Sequence, residues 1–130
     1  MSLVIIYSNS NGGVSMCVPT GEMSIEDVQT KDTPTGSIIL DTAMLPQGDD
    51  ALFFDAWELN GTTVTVNLEK AKAFKLSQYN AAAVAEAQKR QLNTLAGLEN
   101  TPDDATFLAK LTADRAAIAS ATSTAELAVI

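Results

Sequence analysis

From Asn67 to Ala96 the chain runs thirty residues without a proline or a glycine, and seven of the positions from 71 to 87 are alanine. Alanine gives up no side-chain freedom in a helix, and an asparagine at the head of the segment offers an oxygen to the first unpaired N–H groups. The segment is therefore predicted as one long helix from Asn67 to Leu98. Phe74, Ala81, Val84, Leu92 and Leu95 recur on one helical stripe, with Ala85 and Gln88 between them, while Leu76, Ala83 and Ala87 make a second, weaker stripe. Small residues on both faces allow other helices to approach closely.

The chain breaks between Gly97 and Thr101 and restarts at Thr101-Pro102-Asp103-Asp104, which reads as a hydroxyl cap, a proline at the first helical position and acids in the first turn. Phe107, Leu108, Leu111, Ala117 and Ile118 give this helix an apolar face, and it is predicted to run to about Ser120 and fold back on its predecessor. Ser123 to Glu126 is a capping box that opens a last turn or two carrying Leu127 and Ile130. Residues 67 to 120 are thus expected to form an antiparallel helical hairpin whose second face, marked by Ala83, meets another chain.

Before residue 67 the periodicity is that of strands. Leu3–Ser8 and Val14–Val18 flank Asn9-Ser10-Asn11-Gly12-Gly13, whose glycines supply positive φ at little cost, so the unit reads as a β-hairpin. Ser24 caps a short helix predicted over 25–31, and Ser37–Asp41 reads as a lone strand. After a turn at residues 45–50, Phe53–Leu59 and Thr62–Val66 around Asn60-Gly61 read as a second hairpin. Strand alternation would then put Phe53, Asp55 and Trp57 on one face and Phe54, Ala56 and Glu58 on the other. The expected fold class is α+β: a hairpin-rich, antiparallel β domain over residues 1–66, then an α-helical hairpin region over 67–130.

Charge is divided the same way. Residues 1–66 hold nine acids against Lys31, whereas residues 67–130 hold seven acids and seven bases, so the whole formal charge of −8 sits in the first half. Such a field repels phosphate backbones and anionic lipid, which argues against nucleic-acid and membrane-surface partners. It is either a solvated surface that aids solubility or a docking face for a basic partner. The apolar run Leu3–Tyr7 is far too short to span a bilayer and has no basic residue ahead of it, so neither a transmembrane helix nor a signal peptide is expected.

The chemistry-bearing residues are few. Cys17 is the sole cysteine and there is no histidine, which removes intrachain disulfides, multi-thiolate metal sites and the usual base for a nucleophile. No phosphate loop or nucleophile elbow is present. Asp49 and Asp50, with Asp55 and Glu58 nearby, are the one carboxylate cluster, but they lack the alternate spacing and closing glutamate of a calcium loop. Paired carboxylates for glycoside hydrolysis would sit in an aromatic-lined cleft, and aromatics are only 5% of this chain. No enzyme activity, metal or cofactor is therefore expected. Phe53, Phe54 and Trp57 form the densest aromatic cluster, read either as core or as an exposed anchor at a subunit contact.

Taken in order, VIIYSNSNGGVSMCVPTGE, EDVQTKDTPTG, ILDTAMLPQGDDALFFDAWEL, VTVNLEKAKAF and the tail ATSTAELAVI resemble a pattern found in small proteins of tailed bacteriophages. The likeness covers most of the chain, with residues 76–120 the least characteristic. It departs in the long helix, where KLSQYNAAAVAEAQ replaces a charged run, which weighs against a partner that reads a basic helix. The resemblance implies a virion component made in the host cytoplasm, at the tail or its fibres or on the capsid surface, or else a tail-fibre assembly chaperone. Its partners would be other phage structural proteins and its state oligomeric or partner-bound. The candidate contacts are Asp49, Asp50, Phe54, Trp57, Phe74, Ala83 and Leu92.

Overall fold

The computed structural model describes residues 2–130. The fold is α+β, with antiparallel strands first and helices after them, in two compact units, Met1–Ala71 and Lys72–Ile130.

In the first unit β1 (Leu3–Ser8) pairs antiparallel with β2 (Val14–Cys17). Their turn is the expected one: Asn9 Oδ1 accepts from the N–H groups of Asn11 and Gly13 at 3.0 Å each, and Gly12 takes φ +78°, a conformation that side chains disfavour. On the other edge of β1 lies β3 (Ile38–Asp41), giving the order β2-β1-β3. The register puts Val4 and Ile6 beside Leu40, Ile38 and Met16 on one face, where they join Val14, Leu45, Trp57 and Val64 in a buried cluster. Ile5 points to the opposite face, between Cys17 and Ile39, and is fully buried. The short helix α1 (Ile25–Asp32) lies against β1 and β3 with Val28 buried, and Ser24 Oγ accepts from the Asp27 N–H to cap it.

The second hairpin, β4 (Trp57–Asn60) with β5 (Thr63–Val66), is shorter than the sequence suggests. Its first strand begins at Trp57, because Gly48–Ala56 winds into tight three-residue turns with a kink at Phe53. A short apolar run does not by itself distinguish strand from helical turn. Here the Trp57 indole decides it, donating Nε1–H to the Asp50 carbonyl at 3.0 Å, which requires the chain to coil back. In such turns residues three apart eclipse one another. Phe53 and Ala56 accordingly point inward, while Phe54 and Asp55 stay outside, so the alternation expected for this segment does not occur.

Asn67 caps α2 (Leu68–Leu95), its Oδ1 accepting from the Lys70 N–H at 3.2 Å. The first turn of α2 goes with the sheets. Lys70 Nζ donates to the Gly12 carbonyl at 3.2 Å and to Glu58 at 2.7 Å, and Ala71 is fully buried. Within the second unit α2 stops at Leu95, where the Leu98 N–H reaches the Asn93 carbonyl and the Gly97 N–H reaches that of Thr94, with Gly97 at φ +75°.

The third helix, α3 (Asp104–Ser120), returns antiparallel to α2, with Tyr79 reaching Asp114 near one end of the pair and Arg90 reaching Asp104 near the other. Its cap is Asp103, accepting from the Thr106 N–H at 2.8 Å, rather than Thr101. Pro102 stays outside the helix, its carbonyl held by Arg90 Nη1 at 2.6 Å. The last helix, α4 (Thr124–Ala128), is capped by Ser123 and packs on α3, with Ile118, Ala121 and Leu127 buried.

Candidate functional site

In the first unit the acidic segment wraps its aromatics inward. Trp57 is buried in the main cluster and is not a surface anchor, which corrects its place among the candidate contacts. Phe54 is 38% exposed, with its ring 4.9 Å from that of Trp57, and Asp49 is exposed while Asp50 is half-buried. A hollow of about 270 Å³ lies beside Phe54, edged by Asn9, Asn11, Asp55 and Lys70. Lys70 is the cation there, and its hydrogen bond, followed by that of Asn67, holds the Glu58 carboxyl below the usual carboxylate range. At this hollow Lys70 is engaged with Glu58 and the Gly12 carbonyl, while Asp55 is exposed at the rim.

The second unit is put together differently. The face of α2 turned towards α3 carries Tyr79, Ala83, Glu86, Arg90 and Asn93, spaced alternately four and three apart. Arg90 is 6% exposed. Its guanidinium sits 4.5 Å from the centre of the Phe107 ring and donates Nη1–H to the Pro102 carbonyl and to Asp104. Its Nε lies 3.2 Å from Glu86 Oε1, an ion pair without an aligned hydrogen bond. One turn-rich junction is thereby fastened through a single planar cation, a task suited to the fork of arginine.

Further along, Tyr79 Oη donates to Asp114 at 2.6 Å and Arg115 Nε donates to Asn80 at 3.0 Å. Burial, then the bond to Asp114, pushes the Tyr79 hydroxyl up to about 12. The hydrogen bond from Lys110, then that from Tyr79, holds Asp114 below the usual range. Ala83 lies here, lining a hollow of about 200 Å³ with Tyr79, Glu86, Phe107 and Lys110.

The two apolar stripes of α2 have therefore exchanged the roles expected of them. Ala83, expected to mark the face that meets another chain, looks towards α3 instead. The stronger stripe is turned away from α3: Val84 is 56% exposed, Leu92 67% and Leu95 80%, and Phe74 is half-buried. The physical reason is that the inward face is closed by polar contacts that an apolar periodicity does not register. Arg90 was not among the candidate residues. Its signal was the Glu86–Arg90 pair, four apart, on the face opposite the apolar stripe.

Among the described residues no group of three His, Cys, Asp or Glu side chains is placed to hold a metal ion, and no helix is long and apolar enough to cross a membrane. What the arrangement offers is surface: an acidic unit with one half-open aromatic, and a helix with an uncovered apolar stripe. Against protein-family models, curated proteins and solved structures, the chain finds no match.

Proposed function

We propose that the protein is a structural component of a tailed-bacteriophage particle, associated with the tail or its fibres, that works by protein–protein contact and not by catalysis. The sequence resemblance supplies the setting. The observation that carries the contact reading is the exposed stripe Val84–Leu92–Leu95, since large apolar side chains aligned on one face and left to solvent mark an interaction surface. Purified particles examined by mass spectrometry should contain the chain in a fixed ratio to a tail or fibre protein. Absence at stoichiometric level would sink the reading.

The second reading is a tail-fibre assembly chaperone. It is favoured by the pairing of an uncovered apolar stripe with a unit that carries the whole −8 charge, a combination suited to holding an apolar segment in solution for a time. Co-expression separates the two. A chaperone raises the yield of soluble fibre without remaining in the particle, whereas a virion part remains and leaves that yield unchanged.

A further inference from the structure

Six of the seven asparagines, Asn9, Asn60, Asn67, Asn80, Asn93 and Asn100, have a side chain held by a hydrogen bond. Asn11 is the exception. Its backbone N–H is bonded to Asn9 Oδ1, but its exposed side-chain amide makes no hydrogen bond among the described residues. Two asparagines precede a glycine, Asn11 before Gly12 and Asn60 before Gly61. A glycine has no side chain to shield its own nitrogen from the preceding residue.

We propose that Asn11 is a site of spontaneous deamidation, and that the fold protects Asn60 from the same reaction. The Gly12 backbone nitrogen gives up its proton to hydroxide and attacks the Asn11 side-chain carbonyl carbon Cγ. The Cγ–N bond to Gly12 forms, the Cγ–Nδ2 bond breaks, and ammonia leaves a cyclic imide. Water then opens the ring at one of its two carbonyls. Opening at Cγ gives aspartate, while opening at the main-chain carbonyl gives isoaspartate, in which the chain runs on through Cγ.

The two Asn-Gly pairs differ in what must be surrendered first. At Asn60 the side chain is tied to Thr65 Oγ1 at 2.8 Å, and the residue stands in the β4–β5 ladder opposite Thr63. Both restraints must go before Cγ can meet the Gly61 nitrogen. At Asn11 the side chain is already loose and lies outside the strands, and the nucleophile is restrained by one turn bond, from the Gly12 N–H to the Asn9 carbonyl at 3.2 Å. Each bond given up slows the step roughly fivefold, so Asn11 should react at least about tenfold faster than Asn60.

The product matters because of where Asn11 stands. Isoaspartate lengthens the main chain inside a turn whose N–H groups at Asn11 and Gly13 both bond Asn9 Oδ1, and whose Gly12 carbonyl accepts from Lys70. Either product also places a new carboxylate on a hollow already edged by Asp55, in a stretch where residues 1–71 hold ten acids and two bases. The first hairpin should therefore loosen as the protein ages.

The full-length protein is incubated in mildly alkaline buffer, digested at intervals and read by tandem mass spectrometry, which locates each converted asparagine. In the folded protein Asn11 should convert at least about tenfold faster than Asn60. In concentrated urea the two rates should converge, since both asparagines precede glycine and neither is held. Thr65→Val, at an exposed strand position, removes the acceptor of the Asn60 amide and should speed conversion of Asn60 roughly fivefold while leaving Asn11 unchanged. Asn60 keeping pace with Asn11 in the folded protein, Asn11 persisting in the folded protein while it converts in urea, or a rate ratio that survives in urea would each overturn the proposal. So would an Asn60 rate indifferent to Thr65→Val.

Discussion

The two units stabilise themselves by different means. The first buries Val4, Ile5, Ile6, Val14, Leu45, Phe53, Trp57 and Val64, each to below 10% exposure, while the large apolar side chains buried in the second, among the described residues, are Ile118 and Leu127. Full burial of such a side chain contributes about 1.5–3 kcal/mol. A net hydrogen bond contributes about 1 kcal/mol and an exposed ion pair less. The first unit therefore carries a core adequate for its size, whereas the second joins α2 to α3 with Arg90, Tyr79 and Arg115 and turns its larger apolar side chains on α2 outward. A helical pair of this kind has its apolar capacity available for contact with another chain.

The contrast can be broken from either side. The largest effect is expected from Ile6→Ala, which removes a fully buried side chain from the main cluster and should cost the first unit about 3 kcal/mol. Trp57, the one tryptophan, belongs to that cluster, so urea denaturation followed by its fluorescence reports this unit. Next comes Arg90→Ala, at about 2 kcal/mol. A buried pair broken on one side costs more than that, but Asp104 is 63% exposed and regains water. The loss should appear in the helical circular dichroism and leave the Trp57 transition in place. Arg90→Lys should not restore it, because an ammonium cannot serve Glu86, Asp104 and the Pro102 carbonyl at fixed angles.

Tyr79→Phe is expected to cost about 1 kcal/mol and to alter the response to pH. With its hydroxyl raised to about 12, the stability contributed by neutral Tyr79 is fully present below its ordinary value of 10 and is lost as pH rises from there through about 12. Asp114 works in the opposite sense, contributing above its ordinary 3.8 and losing that contribution as pH falls below it. Helical signal recorded across pH should lose the alkaline step in Tyr79→Phe, and carboxyl titration by NMR should show Asp114 returning towards its ordinary range. The smallest effect belongs to Val84→Gln, within about 0.5 kcal/mol, because that side chain already faces water. A larger loss in dilute protein would mean that the outer stripe supports the unit itself and that the contrast is drawn too sharply.

Local chemistry was legible from the sequence where it acts over a few residues. The Asn9–Gly13 turn, the Ser24 and Ser123 caps and the Asn67 start of α2 all follow from side chains that bond their own neighbours. Three features depend on contacts distant in sequence or hidden from hydropathy. The coil of Gly48–Ala56 is set by a Trp57 bond seven residues back. The cap of α3 moved to Asp103 because Arg90, twelve residues earlier, holds Pro102 outside the helix. The orientation of α2 followed its polar side, so a reading that tracked Phe74, Val84 and Leu95 located the stripe but turned it inward. Of the candidate contacts, Leu92 and Asp49 lie at the surface, Phe54 at its margin, and Trp57 and Ala83 face other parts of the fold.

The reach of Lys70 to Gly12, fifty-eight residues away, has a consequence for the order in which the molecule is made. A nascent chain ending at Val66 holds every strand of the first unit but neither this ammonium nor Ala71, so the Gly12 carbonyl and the Glu58 carboxylate still lack their shared donor. The sheets can pair on the ribosome at that length, yet they are fastened only after the opening turn of the next helix has left the exit tunnel. The first unit is thus completed by residues of the opening turn of α2, which are made before any part of α3.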